Sequence, residues 1–271
     1  MGIHRIILFS LYILISPFSH AANSDPLRLA TTTTIRSSGL LDVLVPAFEQ
    51  TSGYKLELAV VGTGRALRLG RHGEVDVILV HAPSSEQQFV EGGWGVERQP
   101  IMRNDFIFVG PPTDPAGIRG MQSAGEALKR IAETESMFAS RGDDSGTHKK
   151  ELQCWSSMDI QPAGSWYFEA GMSMGNTLKL ASDEQYYTMV DRGTWLNNRK
   201  QMKLVILVAG DSILDNPYSV IMINPKRHSG INYKGAKAFS DWLQSIQGQQ
   251  LILNYRVDGE QLYFSPVGSQ E

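Results

Sequence analysis

The nine residues Ser140-Arg141-Gly142-Asp143-Asp144-Ser145-Gly146-Thr147-His148 concentrate groups that can grip an anion. Arg141 offers a charged fork of donors. Ser145 and Thr147 add hydroxyls, and the two glycines permit a tight nest of backbone N–H groups. A plainer reading stands beside this one. Ser145 or Asp144 caps a helix, and Arg141 pairs with Asp143 at the surface. Two further segments have related chemistry. Thr31-Thr32-Thr33-Thr34 lies between an apolar run and a helical pattern, where hydroxyls and free N–H groups converge and the helix dipole favours negative charge. Capping by one threonine is the commoner explanation for this segment taken alone. Val61-Gly62-Thr63-Gly64-Arg65-Ala66 lets backbone approach a ligand closely, but no Gly-Lys-Ser/Thr follows, so it is not a nucleotide loop.

Catalytic arrangements are weaker. Gly142 precedes Ser145 by one residue too many for a nucleophile elbow, and no separate acid is apparent to orient His148. A secreted serine hydrolase using Ser145 is therefore a remote alternative. The six histidines show no metal-ligand spacing. His20, His72, His81 and His228 are isolated, and most of them read as surface residues. Cys154, beside Trp155 in a helical pattern, reads as packed, and a lone cysteine excludes an intramolecular disulfide.

These segments need a scaffold that alternates strands and helices. Strand patterns fall at Leu27–Ala30, Leu56–Val60, Val75–Val80, Asp105–Gly110, Met137–Ser140, Leu204–Val208 and Val220–Ile223. Helical patterns fall at Gly39–Gln50, Ser84–Val90, Ser123–Glu133, Ser145–Trp155, Thr177–Asp183, Val190–Asn197 and Tyr233–Gln247. That order argues for α/β architecture. Pro111-Pro112-Thr113-Asp114-Pro115 suits a crossing between lobes. The expected division is residues 25–110 plus 211–271 as lobe 1 and 111–210 as lobe 2, with hinges near Gly110–Asp114 and Ala209–Tyr218.

The chain has 271 residues, with 25 Lys+Arg against 28 Asp+Glu, so it lacks the basic excess of a nucleic-acid binder. Residues 1–21 read as a signal peptide: His4 and Arg5, an apolar run from Ile6 to Phe18, then Ser19-His20-Ala21 before a cut near Ala21/Ala22. The run is too short for a membrane span, so the mature protein is expected in a periplasm.

In combination the motifs resemble the tungstate-binding proteins of ABC importers. The resemblance runs from about residue 27 to the C-terminus. It rests on Ala30–Thr34 with Ser38-Gly39-Leu40-Leu41, Val61–Gly64 with Ala66-Leu67, and Ser140–His148 with Lys150-Glu151. Thr177-Leu178, Tyr187-Thr188, Asp191-Arg192-Gly193-Thr194 and Asn216-Pro217-Tyr218 extend it. This chain has Thr34-Ile35 where the family usually has Ser and a smaller β-branched residue.

The resemblance implies a two-lobed periplasmic binding protein of type II, with mixed sheets flanked by helices and the ligand in the cleft between lobes. It implies a tungstate receptor, with molybdate a second candidate, that serves the permease of an ABC importer. No enzyme activity, cofactor or metal site is implied beyond the oxyanion itself, and the receptor is expected to be a monomer. The ligand residues it implies are Thr33, Thr34, Thr63, Gly64, Arg141, Ser145 and Thr147. Such a donor-only set suits a fully deprotonated dianion. Phosphate is the close alternative, because Asp143 or Asp144 could accept its proton. Both are expected to turn away, toward Arg65, Lys149 or the helix N-terminus.

Overall fold

A computed structural model describes residues 25–266. The signal-peptide segment lies outside the described residues. In chain order the elements are β1 (Leu27–Thr32), α1 (Thr33–Ser38), α2 (Leu41–Ser52), β2 (Leu56–Val61), α3 (Thr63–His72), β3 (Val77–Val80) and α4 (Pro83–Glu91). There follow β4 (Gly95–Gly110), α5 (Ala124–Glu133), β5 (Phe138–Ser140), α6 (Gly146–Ser156), β6 (Tyr167–Glu169), α7 (Met174–Glu184), β7 (Tyr187–Asp191) and α8 (Arg192–Asn198). The chain then forms β8 (Val205–Val208), β9 (Asp215–Ile223), α9 (Tyr233–Gln244), α10 (Ile246–Leu253) and the short hairpin β10 (Arg256–Val257) with β11 (Glu260–Gln261).

The strands pair in the order β2-β1-β3-β9-β4-β7-β5-β6, and β8 also pairs with β4. β1 runs parallel to β2 and β3, as its βαβ connections require. β5 is likewise parallel to β6 and β7, whereas β4 is antiparallel to β7, β8 and β9. Two α/β units thus share the long strand β4.

The exchange between them falls inside β4. Gly95–Asp105 lies opposite β9, and Phe106–Val109 lies opposite β7. The proline-rich segment after β4 is a turn on the second unit. Asp114 N–H bonds Pro111 C=O at 3.0 Å, and Tyr187 Oη donates to Asp114 Oδ1 at 2.8 Å. The change of strand partner lies within β4, just ahead of the proline-rich segment expected at the crossing, and β4 ends at Gly110.

Packing follows the apolar patterns. Leu44 and Phe48 of α2 bury against Leu29, Leu79, Phe239 and Trp242. In the second unit Phe106, Phe108, Leu128, Phe138 and Trp155 form the core. Trp166 and Tyr167 pack into this cluster against Trp155 and Phe138. Cys154 is buried with them, and burial pushes its thiol up to about 12.

Two elements differ from the sequence patterns. Val190 belongs to β7, and α8 begins only at Arg192, because Asp191 Oδ1 accepts the Thr194 N–H at 2.8 Å and caps the helix. The amphipathic stretch 233–247 breaks at Ser245, whose Oγ donates to Trp242 C=O and accepts from Gly248 N–H. A Cβ at Gly248 would lie 2.2 Å from that carbonyl, so only glycine fits this junction.

Candidate functional site

The anion candidates sit where strands hand over to helices. β1 ends beside β2, with Thr32 opposite Val61, so the loops before α1 and α3 emerge at one edge of the sheet. Thr32 takes the capping role: its Oγ1 accepts from Ile35 N–H at 3.5 Å. Thr31 donates to Leu79 C=O at 3.0 Å. Those two bonds leave Thr33 and Thr34 free to face a cleft of about 300 Å³. Capping and cleft roles are thus divided among the four threonines.

Arg141 lines the same cleft from the β5–α6 connection. Its position is set from three sides. Nε donates to Met172 C=O at 2.8 Å, Nη2 donates to the Asp143 carboxylate, and the backbone turn leans on buried Glu151. Glu151 also accepts from Ser140 Oγ at 2.9 Å, Tyr167 Oη at 2.7 Å and Trp155 Nε1 at 3.2 Å. Burial pushes the Glu151 carboxyl above its ordinary range, against these bonds. Burial also raises Asp143, but the bonds from Ser145 and Arg141 outweigh it and hold that carboxyl below its usual range. Arg141 therefore stays ionically partnered, and Asp143 points to that guanidinium and to the Ser145 N–H at the start of α6, the helix N-terminus named among its expected partners, without lining the cleft. Asp144 does turn outward, with Oδ2 at 3.6 Å from Lys149.

Apart from Thr194, which belongs to the Asp191–Thr194 block, the remaining lining comes from residues no motif had suggested. Ser37 closes the end of α1, Ser173, Met174 and Gly175 begin α7, and Thr194, Asn197 and Asn198 come from α8. Ser173 makes no side-chain capping bond to its own helix. Asn197 Nδ2 donates to Ser37 C=O at 2.7 Å, which ties α8 to α1 at the cleft. Thr194 Oγ1 is already committed to Asp191 Oδ2 at 2.6 Å, and burial pushes that carboxyl up.

Four candidates do not line this cleft. Ser145 caps α6, with Oγ accepting from His148 N–H at 3.3 Å, and Thr147 is buried inside that helix. Thr63 and Gly64 form the first turn of α3. A larger hollow of about 760 Å³ lies outside α6, between Leu152, Trp155 and Pro162, and takes only His148 from the motif. The cleft is the better site because the free hydroxyls and the guanidinium converge there.

His81 departs most from its surface reading. It is buried, stacks on Tyr218 at 4.7 Å, and its Nδ1 lies 2.8 Å from Asn216 Oδ1. Asn216 Nδ2 donates to Asn104 Oδ1 at 2.7 Å, bridging β9 to β4 where the sheet passes between units. A Cβ at Gly146 would lie 3.4 Å from the His81 ring, so the imidazole reaches the start of α6. Burial lowers its pKa to about 4.

No nucleophile–base pair forms around Ser145. The His148 ring accepts from Asp144 N–H at 3.0 Å, and its link to Ser145 is through the backbone. Among the described residues no helix is long and apolar enough to cross a membrane.

Two α/β units joined through shared strands, with a polar cleft at their junction, define a binding protein of the periplasmic receptor class. The PBP superfamily domain matches residues 16–246. The chain belongs to that superfamily and, within it, to the family of the TupA proteins. It is 46% identical over 241 residues to the tungstate-binding protein TupA of Peptoclostridium acidaminophilum, covering 88% of this chain and 83% of that one. The structure of the tungstate-binding protein TupA from Desulfovibrio alaskensis G20 superposes with a TM-score of 0.81 at 40% identity, over 89% of this chain and 99% of that one. That of the tungstate ABC transporter from Geobacter sulfurreducens gives 0.79 at 44% identity, over 85% and 99%.

Proposed function

We propose that this chain is a periplasmic receptor that binds tungstate, with molybdate as second ligand, and delivers it to the permease of an ABC importer. The observation that carries the reading is the convergence of Thr33, Thr34 and Arg141 on one cleft. Hydroxyl donors and a guanidinium serve an ion that accepts hydrogen bonds and donates none. Burial of Arg141 and Thr194 lowers the local dielectric, which strengthens each bond made there. Ser37, Ser173 and the N–H groups at the start of α7 complete the donor set. Ser145 caps α6, which carries the Arg141 turn, while Thr63, Gly64 and Thr147 lie in the first turns of α3 and α6, off the cleft lining.

The working division places residues 25–105 and 215–266 in one lobe, and 106–214 in the other, with β4 and the approach to β9 as the hinge. Export removes the first 21 residues, and the mature receptor acts as a monomer. Parallel calorimetric titration with tungstate, molybdate, sulfate and phosphate tests the assignment. Tungstate saturating one site per chain is expected, and no heat from any of the four anions would remove the receptor reading.

A further inference from the structure

α3 carries cations that the cleft does not use. Arg65, Arg68 and His72 fall on one exposed face of the helix, with Arg71 exposed beside them. The helix contains no acidic residue. Its inner face is fixed: a Cβ at Gly70 would lie 2.8 Å from Ile223 and 2.9 Å from Phe89. The band continues past the helix end. A Cβ at Gly73 would lie 2.6 Å from His228, whose ring stacks at 6.4 Å on Trp94. Trp94 in turn carries the Arg227 guanidinium at 4.6 Å from its centroid. Among the described residues, none of the four arginines Arg65, Arg68, Arg71 and Arg227 takes an ion pair. The four arginines outnumber the exposed Glu74 and Glu91 beside them, so this surface is basic in a chain whose net charge is −3.

We propose that this band on α3 and the turn after β9 docks an acidic protein surface. Resting on the receptor reading above, that surface is the outward face of the permease. Guanidinium forks match carboxylates in pairs, and an Arg-covered Trp is the kind of residue that dominates interface energetics. The exposed large apolar side chains, Leu152, Phe168 and Ile246, all lie outside the band, which leaves it no wedge for a lipid bilayer.

The test compares wild type with the triple variant Arg65→Gln, Arg68→Gln, Arg71→Gln. Each is first loaded with tungstate, then titrated against the cognate transporter in neutral phosphatidylcholine nanodiscs at low and high salt. The variant is expected to load tungstate like wild type and to associate with the transporter about tenfold more slowly at low salt, the scale of electrostatic steering. The difference should shrink at high salt. Equal association of both proteins overturns the proposal. So does a variant that differs from wild type only in binding phosphatidylglycerol vesicles. A wild type that takes up no tungstate in the loading step defeats the receptor reading instead, before docking is measured.

Discussion

Arg141 and Asp143 are locked together beside the cleft, the guanidinium Nη2 donating to the carboxylate two residues along the chain. Asp143 also accepts the Ser145 N–H at 3.2 Å through its other oxygen. The pair sets the direction of the guanidinium and uses up the carboxylate. Arg141 still has donors to spare, since a guanidinium carries five. An ammonium could not serve Met172, Asp143 and a bound anion from one nitrogen with the same geometry.

Arg141→Ala is accordingly expected to weaken tungstate binding by about 1.5–3 kcal/mol, the scale of hydrogen bonds to charged groups. Arg141→Lys should recover only part of that loss. Calorimetry on variants whose melting curves show a folded protein measures both. Wild-type affinity in folded Arg141→Ala would make the residue purely structural.

The tie between Asn197 and Ser37 yields a second expectation. It is one exposed hydrogen bond of 2.7 Å joining α8 to α1 at the cleft. Asn197→Asp replaces the donor with a carboxylate facing a carbonyl and a dianion. Tungstate affinity should fall by about 1 kcal/mol or more, the usual net value of such a bond, with repulsion added. The change should appear mainly as faster release in stopped-flow displacement. An unchanged release rate would show that the bond does not hold the cleft.

How far the site could be read from sequence depended on whether its residues were contiguous. Thr33, Thr34 and Arg141 lie in motifs dense in donors, and the cleft does contain them. Ser173, Gly175 and Asn197 carry no local pattern, because only the packing of α7 and α8 brings them alongside α1. The helical patterns at 123–133 and 145–155 lie within a residue of α5 and α6, since Ser123 and Ser145 cap both helices. β7 was hidden for the opposite reason. All five residues are buried, and Thr188 and Asp191 interrupt the apolar run that marks such a strand. The burial of His81 was equally invisible, because its partners Asn216 and Tyr218 are more than a hundred residues away.

His81 supplies a pH dependence. Its folded pKa is lowered from 6.5 to about 4 by burial, so the folded state resists a proton that the unfolded state accepts. The neutral imidazole's contribution is complete above the unfolded value and is lost as pH falls from about 6.5 toward 4. The slope is at most about 1.4 kcal/mol per pH unit. Burial raises the carboxyls of Glu86, Glu151 and Asp191, which act in the opposite sense. The measurement is therefore a difference. Urea unfolding of wild type and His81→Gln between pH 7 and 5 should show the variant losing less stability on acidification. Parallel pH profiles would mean that the imidazole takes up its proton without cost in the fold.

Selectivity among oxyanions follows from proton counting at the cleft. Tungstate, molybdate and sulfate are fully ionised at neutral pH, whereas phosphate retains a proton that needs an acceptor. The carboxylates near the site are already engaged. Asp143 is held by Arg141 and Ser145, and Asp191 by the Thr194 N–H at 2.8 Å and its hydroxyl at 2.6 Å. The proton of hydrogen phosphate therefore meets donors, at a cost of about 1–3 kcal/mol for an unpaired buried polar group. Sulfate escapes that cost, but its shorter bonds leave gaps to donors spaced for a larger tetrahedron. The expected order is tungstate, molybdate, sulfate, then phosphate, with phosphate at least about fivefold weaker than tungstate on the same energetic scale. Competitive titration decides it. Phosphate binding tighter than tungstate would mean that Asp143 leaves Arg141 to face the ligand, and the site would then be a phosphate site.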